Sequence, residues 1–194
     1  MVAILSPQAI PMVRMTVDEY MPADLPEGYR YELVKGVVQM APFPAVEHDD
    51  VLGRLLDCLY RYREVHPDVV AKITTRGGVL IPGEETVREP DLCVYRKWPE
   101  NARGYQAWKE FVPFLVVEVV SPGQGHRDYE EKRDDYLKAG VEEYWIFDPH
   151  REEFTALTRQ GQTWREQTFP ASGAYRPAVL PQFELPIGFV LKGR

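Results

Sequence analysis

The longest amphipathic pattern in the chain runs from Val46 to Val65. Its apolar residues recur at intervals of three and four, at Val51, Leu52, Leu55, Leu56, Leu59 and Tyr62. This spacing places them on one side of a helix. The pattern stops at His66 and Pro67, and proline is a common residue just beyond a helix end. We therefore predict a long helix that packs one face against the core.

Short apolar runs separated by turn residues predict strands on both sides of this helix. Before it, YELVKGVVQM (31–40) predicts two strands that turn at Lys35 and Gly36. After it, the pattern predicts strands at 69–74, 78–81, 87–95, 114–120 and 143–147, and a helix at 126–139. This order is typical of an α/β domain with a mixed sheet flanked by helices. We expect one domain over residues 1–194, with a core at about 16–150 and a β-hairpin extension at 151–194.

Composition excludes few classes of protein. Lys and Arg number 23 and Asp and Glu number 30, so the formal charge of −7 argues against a general polyanion-coating protein but allows a local basic groove. The two cysteines, Cys58 and Cys93, predict reduced thiols. The N-terminus lacks a basic segment before its apolar residues, and no apolar run is as long as a membrane span. We expect a cytoplasmic protein that does not contact membranes.

One carboxylate interrupts the most apolar strand. In FLVVEVVSPGQG (114–125), Glu118 lies in a Val-rich run whose lack of alternation is typical of a strand buried on both faces. A buried carboxylate needs a proton, a cation or hydrogen-bond donors. The neighbouring predicted strand, REPDLCVY (88–95), carries Asp91 directly after Pro90. Two carboxylates at one end of a sheet suit Mg²⁺, which takes one or two carboxylates plus water and phosphate oxygens.

Five ordered blocks carry a family resemblance: YELVKG, REPDLCVY, FLVVEVVSPG, DYEEKRDDYLKAG and VEEYWIFDP. Together they resemble the Uma-type family of putative restriction endonucleases, within the PD-(D/E)xK superfamily, from about Val17 to Val190. The resemblance implies a restriction-endonuclease-like core that hydrolyses DNA phosphodiester bonds. It also implies Mg²⁺, with Mn²⁺ as a substitute, bound by Asp91 and Glu118.

The superfamily places a catalytic lysine two residues after the acid, where this chain has Val120. The resemblance moves that role to Lys132 in the following helix. Asp128 and Tyr136 lie one turn before and after Lys132 on the same helix face, and they are possible accessory residues. Two alternatives stay open: Asp128 and Lys132 as a solvated surface pair, and Glu118 in a structural ion pair with Arg127 or Lys132 that needs no metal.

Two further residues are accessory candidates by resemblance. Glu32 would approach the metal from the N-terminal side, and His48 would lie near the cleft. The alternatives are an outward-facing strand carboxylate for Glu32 and a surface position at a helix N-terminus for His48.

A segment rich in cations and aromatic rings lies between the two carboxylate strands. It carries Arg96, Lys97, Arg103 and Lys109. Cations bind phosphates and rings stack on bases, so the segment could contact nucleic acid. Alternatively, its aromatic residues pack back onto the domain or form a homodimer interface, and cleavage of both strands of a duplex is commonly served by paired sites.

Three functions are therefore open. The leading one is a Mg²⁺-dependent endodeoxyribonuclease that uses Asp91, Glu118 and Lys132. The second is a catalytically inactive module that keeps the nuclease fold for binding, an alternative that Val120 supports. The third is a hydrolase that uses the same metal site on another phosphoester.

Overall fold

The computed structural model describes residues 13–27, 29–41, 44–99, 106–122 and 125–193. Its helices are α1 (Val17–Tyr20), α2 (Val46–Val65), α3 (Gln106–Glu110), α4 (Lys132–Ala139) and α5 (Ile187–Lys192). The strands in the first half are β1 (Arg30–Val34), β2 (Val37–Ala41), β3 (Lys72–Thr75), β4 (Val79–Leu80), β5 (Val87–Arg88) and β6 (Leu92–Tyr95). Those in the second half are β7 (Leu115–Val119), β8 (Glu143–Asp148), β9 (Glu153–Gln160), β10 (Thr163–Pro170), β11 (Ala174–Tyr175) and β12 (Leu185–Pro186).

A six-stranded mixed sheet forms the centre, in the order β10-β9-β8-β7-β6-β3. Its neighbouring strands are antiparallel except β7 and β8, which run parallel. Helices α2 and α5 contribute to the core on one face and α4 to the core on the other, so every residue of β7 is buried. The predicted α/β class with a mixed sheet is confirmed.

The predicted strand at 87–95 is wrong, because it is two strands in two sheets. β5 joins a four-stranded sheet in the order β2-β1-β5-β4, whereas β6 joins the central sheet. The break falls at Glu89, Pro90 and Asp91. Proline has no backbone N–H for a strand ladder, so pairing stops there. Asp91 consequently lies at the junction of the two sheets.

The C-terminal segment belongs to the core. β9 pairs with β8 and β10 pairs with β9, so the predicted hairpin extends the central sheet. Helix α5 was not predicted, because six residues are too short to show a helical period. It packs beside α2, where Arg54 Nε donates a hydrogen bond of 2.8 Å to the Val190 carbonyl.

The predicted helix at 126–139 has an irregular start. Arg127–Glu131 forms a π-helical turn that continues directly into α4. Gly140 ends α4 in the left-handed conformation at φ 95°, as predicted for the helix end. Among the described residues, none of the helices has the length and apolar character needed to cross a bilayer.

Candidate active site

Asp91 and Glu118 meet at one end of the central sheet. β6 and β7 are antiparallel, with Leu92 opposite Val117, so the start of β6 adjoins the end of β7. Asp91 Oδ2 accepts a hydrogen bond of 2.8 Å from the Val119 backbone N–H. Asp91 is only 3% exposed and Glu118 only 2%. The structure therefore brings together the two carboxylates that the sequence analysis placed at one sheet end.

Arg30 and His48 hold the Asp91 carboxylate. Arg30 Nη1 donates to Oδ1 at 2.5 Å, and His48 Nε2 lies 2.9 Å from Oδ2. Burial alone would raise the pKa of Asp91, but the hydrogen bond from His48 and the charge of Arg30 outweigh it and hold this pKa well below its usual range. Burial lowers the pKa of His48, yet contact with Asp91 raises it overall. Asp91 is thus a fixed, ionised carboxylate.

Lys132 reaches Glu118 from α4. Its Nζ lies 2.8 Å from Glu118 Oε1, 3.0 Å from Asp128 Oδ1 and 3.9 Å from Glu32 Oε1. The Tyr136 hydroxyl donates a hydrogen bond of 2.5 Å to the same Glu118 oxygen. Asp128, Lys132 and Tyr136 therefore share one face, as predicted, and all three are buried. The alternative of a solvated surface pair for Asp128 and Lys132 does not fit this burial.

The electrostatics of this cluster give Glu118 and Lys132 different roles. Burial lowers the pKa of Lys132, but the charges of Glu118, Asp128 and Glu32 outweigh it and raise this pKa above its usual range. Lys132 is thus a cation near neutral pH and a hydrogen-bond donor, not a base. Burial raises the pKa of Glu118. The positive charge of Lys132 lowers this pKa in part, whereas repulsion from Asp91 raises it further. Glu118 is the carboxylate most in need of a further cation.

The π-helical turn sets the start of this helix face. It carries Asp128 and passes directly into Lys132 at the first position of α4. Such turns insert one extra residue per turn and occur frequently at functional sites. This turn could not be predicted from the sequence, because Arg127–Glu131 contains no residue specific for π-helical geometry.

Glu32 lies on β1 in the second sheet and closes the cluster. Its Oε2 accepts hydrogen bonds from Arg88 Nη1 at 3.1 Å and Arg127 Nη2 at 2.5 Å. Burial raises the pKa of Glu32, but Lys132, Arg88 and Arg127 reverse the shift and lower it. Arg88 also donates from Nε to Asp135 at 2.7 Å, so it ties β5 to α4. Glu32 is therefore an internal residue of the site and not an outward-facing one.

Sequence reasoning missed the arginines Arg30 and Arg88. One signal was available, because alternation along β1 places Arg30 on the same face as Glu32. No comparable signal marked Arg88, which contacts the site only because β5 leaves the central sheet.

These side chains enclose a cavity of about 50 Å³ lined by both carboxylates and Lys132. A water molecule needs roughly 10–15 Å³ by the same measure, so several waters or a hydrated ion have room. Within the described residues, no three His, Cys, Asp or Glu side chains converge in a metal-binding arrangement. The donor set is the two-carboxylate kind, which suits Mg²⁺ when water and phosphate oxygens complete its coordination.

Comparison with known proteins assigns the chain to a family. Residues 17–188 match the family Uma2, described as "Putative restriction endonuclease". The chain belongs to the Uma2 family. The solved structures that it resembles include a protein from Anabaena variabilis described as a putative nuclease belonging to DUF820. The likeness has a TM-score of 0.70 at 19% sequence identity and covers 91% of this chain and 97% of the other. No curated protein matches the sequence.

Two of the predicted nucleic-acid contacts of this Uma2 protein, Arg96 and Lys97, lie apart from the cleft. Arg96 and Lys97 follow the end of β6, whereas Asp91 precedes its start. Arg96 pairs with Glu142 at 2.7 Å and lies over the Phe114 ring at 4.1 Å. Lys109 pairs with Asp18, and Arg103 lies outside the described residues. A role of these residues in binding nucleic acid stays a prediction.

The aromatic residues near these cations pack against the domain. The Trp98 ring lies 5.0 Å from Tyr95, 5.3 Å from Trp108 and 6.0 Å from Phe111, measured between ring centroids. The interpretation in which these rings pack back onto the core therefore fits the described part of this segment.

Proposed function

We propose that this Uma2-family protein is a metal-dependent endonuclease that hydrolyses phosphodiester bonds in DNA. One observation carries the proposal: two buried carboxylates, Asp91 and Glu118, share a cleft with Lys132, whose Nζ is 2.8 Å from Glu118. Burying such a cluster of charges carries a large desolvation cost, so a purely structural role is a poor explanation for it. Membership in a family described as "Putative restriction endonuclease" supports a nuclease-type function.

Asp91 and Glu118 would hold Mg²⁺, with Mn²⁺ as a substitute. Both are hard oxygen donors, and Asp91 is already ionised and fixed by Arg30 and His48. The bound ion would supply Lewis-acid stabilisation of the phosphate and a more acidic water.

The protein's own groups would position and stabilise the reacting atoms. Lys132 stays protonated, so it orients the attacking water or stabilises negative charge on the phosphate oxygens. Asp128 and Glu32 keep the Lys132 ammonium at the cleft, and Tyr136 fixes the Glu118 carboxylate. His48 acts through Asp91 as a positioning residue.

One observation favours a second function, a catalytically inactive binding module. Glu118 already has two partners in the protein, Lys132 and Tyr136, so its burial is explained without a metal. This alternative predicts that Mg²⁺ and Mn²⁺ leave both folding stability and nucleic acids unchanged.

The decisive experiment is cleavage of a supercoiled plasmid with Mg²⁺, Mn²⁺ or EDTA. Asp91→Asn, Glu118→Gln and Lys132→Met should each lower the cleavage rate at least about 100-fold, because each removes a group at the reacting atoms. Lys138→Met is the matched control, since Lys138 is on α4 and pairs with Glu84 outside the cleft. Circular dichroism confirms that each variant is folded.

No cleavage by the wild type with either metal, across plasmid, single-stranded DNA and RNA, would refute the proposal. Cleavage confined to nucleotides or small phosphoesters would instead support the third function. Since a duplex has two strands to cut, we also propose a homodimer, which sedimentation of the protein alone and with duplex DNA would test.

A further inference from the structure

Two hollows adjoin the cavity around Asp91 and Glu118 and share lining residues with it. The first hollow shares Arg30, His48 and Asp91 with the cavity and extends to Tyr29 and Arg76. The second shares Ser121 and extends to Tyr129, His150 and Arg151. We refer to the cavity and the two hollows together as the groove.

Arg76 stands at one end of the groove in an unusual backbone conformation. It directly follows β3 and has φ 60°, a left-handed value that few residues other than glycine adopt. Such strain persists only where the surroundings hold it, and it concentrates at functional sites. The side chain is 54% exposed, and its Nε lies 3.3 Å from Glu89 Oε1. Glu89 lines the central cavity, so this contact holds the Arg76 guanidinium beside a residue of that cavity.

Arg151 stands at the other end, on the turn between β8 and β9. Asp148 Oδ1 accepts hydrogen bonds from the backbone N–H groups of His150 at 3.0 Å and Arg151 at 2.9 Å, which fixes this turn. The Arg151 guanidinium lies 5.6 Å from the centroid of the Tyr129 ring, yet its side chain is 67% exposed. The Arg151 cation is therefore positioned but accessible to a ligand.

We infer that the groove binds a nucleic-acid strand, and that Arg76 and Arg151 contact backbone phosphates on opposite sides of the scissile one. The inference rests on the proposed function and assigns the path of its substrate. A ligand that spans both arginines and the central site must carry several anionic groups in a row, as a sugar–phosphate backbone does. Tyr29, which is 49% exposed in the first hollow, offers a ring for base stacking.

Arg76 and Arg151 are both exposed, so we expect the bound strand to continue past the site in each direction. Binding therefore needs no strand terminus, as internal cleavage requires. DNA and RNA both have a sugar–phosphate backbone, so binding of single-stranded DNA and of single-stranded RNA is measured separately.

The test measures fluorescence anisotropy of labelled single-stranded DNA or RNA, in EDTA to prevent cleavage and across a range of salt concentrations. Each lost phosphate contact should flatten the slope of log K against log salt by about 0.7, which is about fivefold in affinity at 0.1 M salt. We expect this loss from Arg76→Ala and from Arg151→Ala. Arg176→Ala is the control, because Arg176 is an exposed arginine paired with a glutamate away from the groove, and it should change neither quantity.

A second measurement tests the open ends. Unlabelled circular single-stranded DNA should compete as well per nucleotide as a linear strand, and a requirement for a free end would overturn the inference. So would unchanged affinity in either arginine variant, or a wild-type protein that binds neither DNA nor RNA. Weaker binding by both variants without cleavage under any metal would leave the groove supported and refute the proposed nuclease function.

Discussion

Replacing Lys132 by methionine should destabilise the protein strongly, even though the replacement is apolar and similar in length. The Lys132 ammonium is the common partner of three buried carboxylates, at 2.8 Å from Glu118, 3.0 Å from Asp128 and 3.9 Å from Glu32. Removing one partner of a buried ion pair costs about 3–5 kcal/mol, because the remaining charge stays desolvated. The unfolding free energy of an ordinary domain is only about 5–15 kcal/mol, so a change of this size should be easily measured.

Removing the other partner should cost much less. Burial raises the pKa of Glu118, so its ionised form is already unfavourable in the folded protein. Glu118→Gln removes that charge and leaves Lys132 with Asp128 and Glu32. We expect its unfolding free energy to stay within about 1 kcal/mol of the wild type. In the double variant, Glu118→Gln should recover part of the loss caused by Lys132→Met, because one fewer carboxylate lacks a cation.

Urea unfolding at pH 7 in EDTA, followed by far-UV circular dichroism, measures these differences. Lys138→Met is the control, because Lys138 pairs with Glu84 at the surface and is 52% exposed. It should cost less than about 1 kcal/mol. The reasoning fails if Lys132→Met is no less stable than this control, or if Glu118→Gln costs as much as Lys132→Met.

Three further predictions concern sites away from the cleft. Burial raises the pKa of Glu143 above 4.5, although a hydrogen bond from Trp145 opposes it, so ionisation of Glu143 costs stability as pH rises above the unfolded-state pKa. The stability of Glu143→Gln relative to wild type should therefore increase between about pH 4 and pH 8, and a pH-independent difference would contradict this. Gly53→Ala should raise the unfolding free energy by about 0.5–1 kcal/mol, because Gly53 is inside α2 with open space at its Cβ position. Gly77→Ala should lower the melting temperature, because its Cβ would lie 2.7 Å from Thr74 Oγ1; an unchanged value would refute the clash.

The sequence could predict those parts of the site that depend on local pattern. Asp91 precedes the start of β6 and Glu118 lies near the end of β7, and the two converge because these strands are antiparallel neighbours. The position of each residue in its predicted strand can be inferred from the sequence pattern. Lys132 reaches the cleft because a helix face repeats about every four residues, which places it between Asp128 and Tyr136.

The rest of the site depends on contacts between distant segments. Arg88 enters the cluster only because Pro90 separates β5 from β6 and sends the two strands into different sheets. Sequence periodicity describes one strand at a time and cannot show that separation. The position of Arg96 likewise depends on strand pairing: it follows the end of β6, whereas Asp91 precedes the start of that strand, and its predicted contact with nucleic acid stays a prediction.

Val120 at the usual lysine position is explained by packing and does not by itself argue for an inactive site. Its side chain is 5% exposed and belongs to the apolar cluster that Tyr129 packs against. Tyr129 of the π-helical turn packs against this cluster, and a Cβ on Gly125 would already lie 3.7 Å from Val120 Cγ1, so little room is left beside Val120. A long cationic side chain at position 120 would have to displace that packing. Lys132 instead delivers its ammonium to Glu118 from α4, across the same cleft. What the proposed chemistry requires is a cation at this carboxylate, and the chain supplies it from the helix.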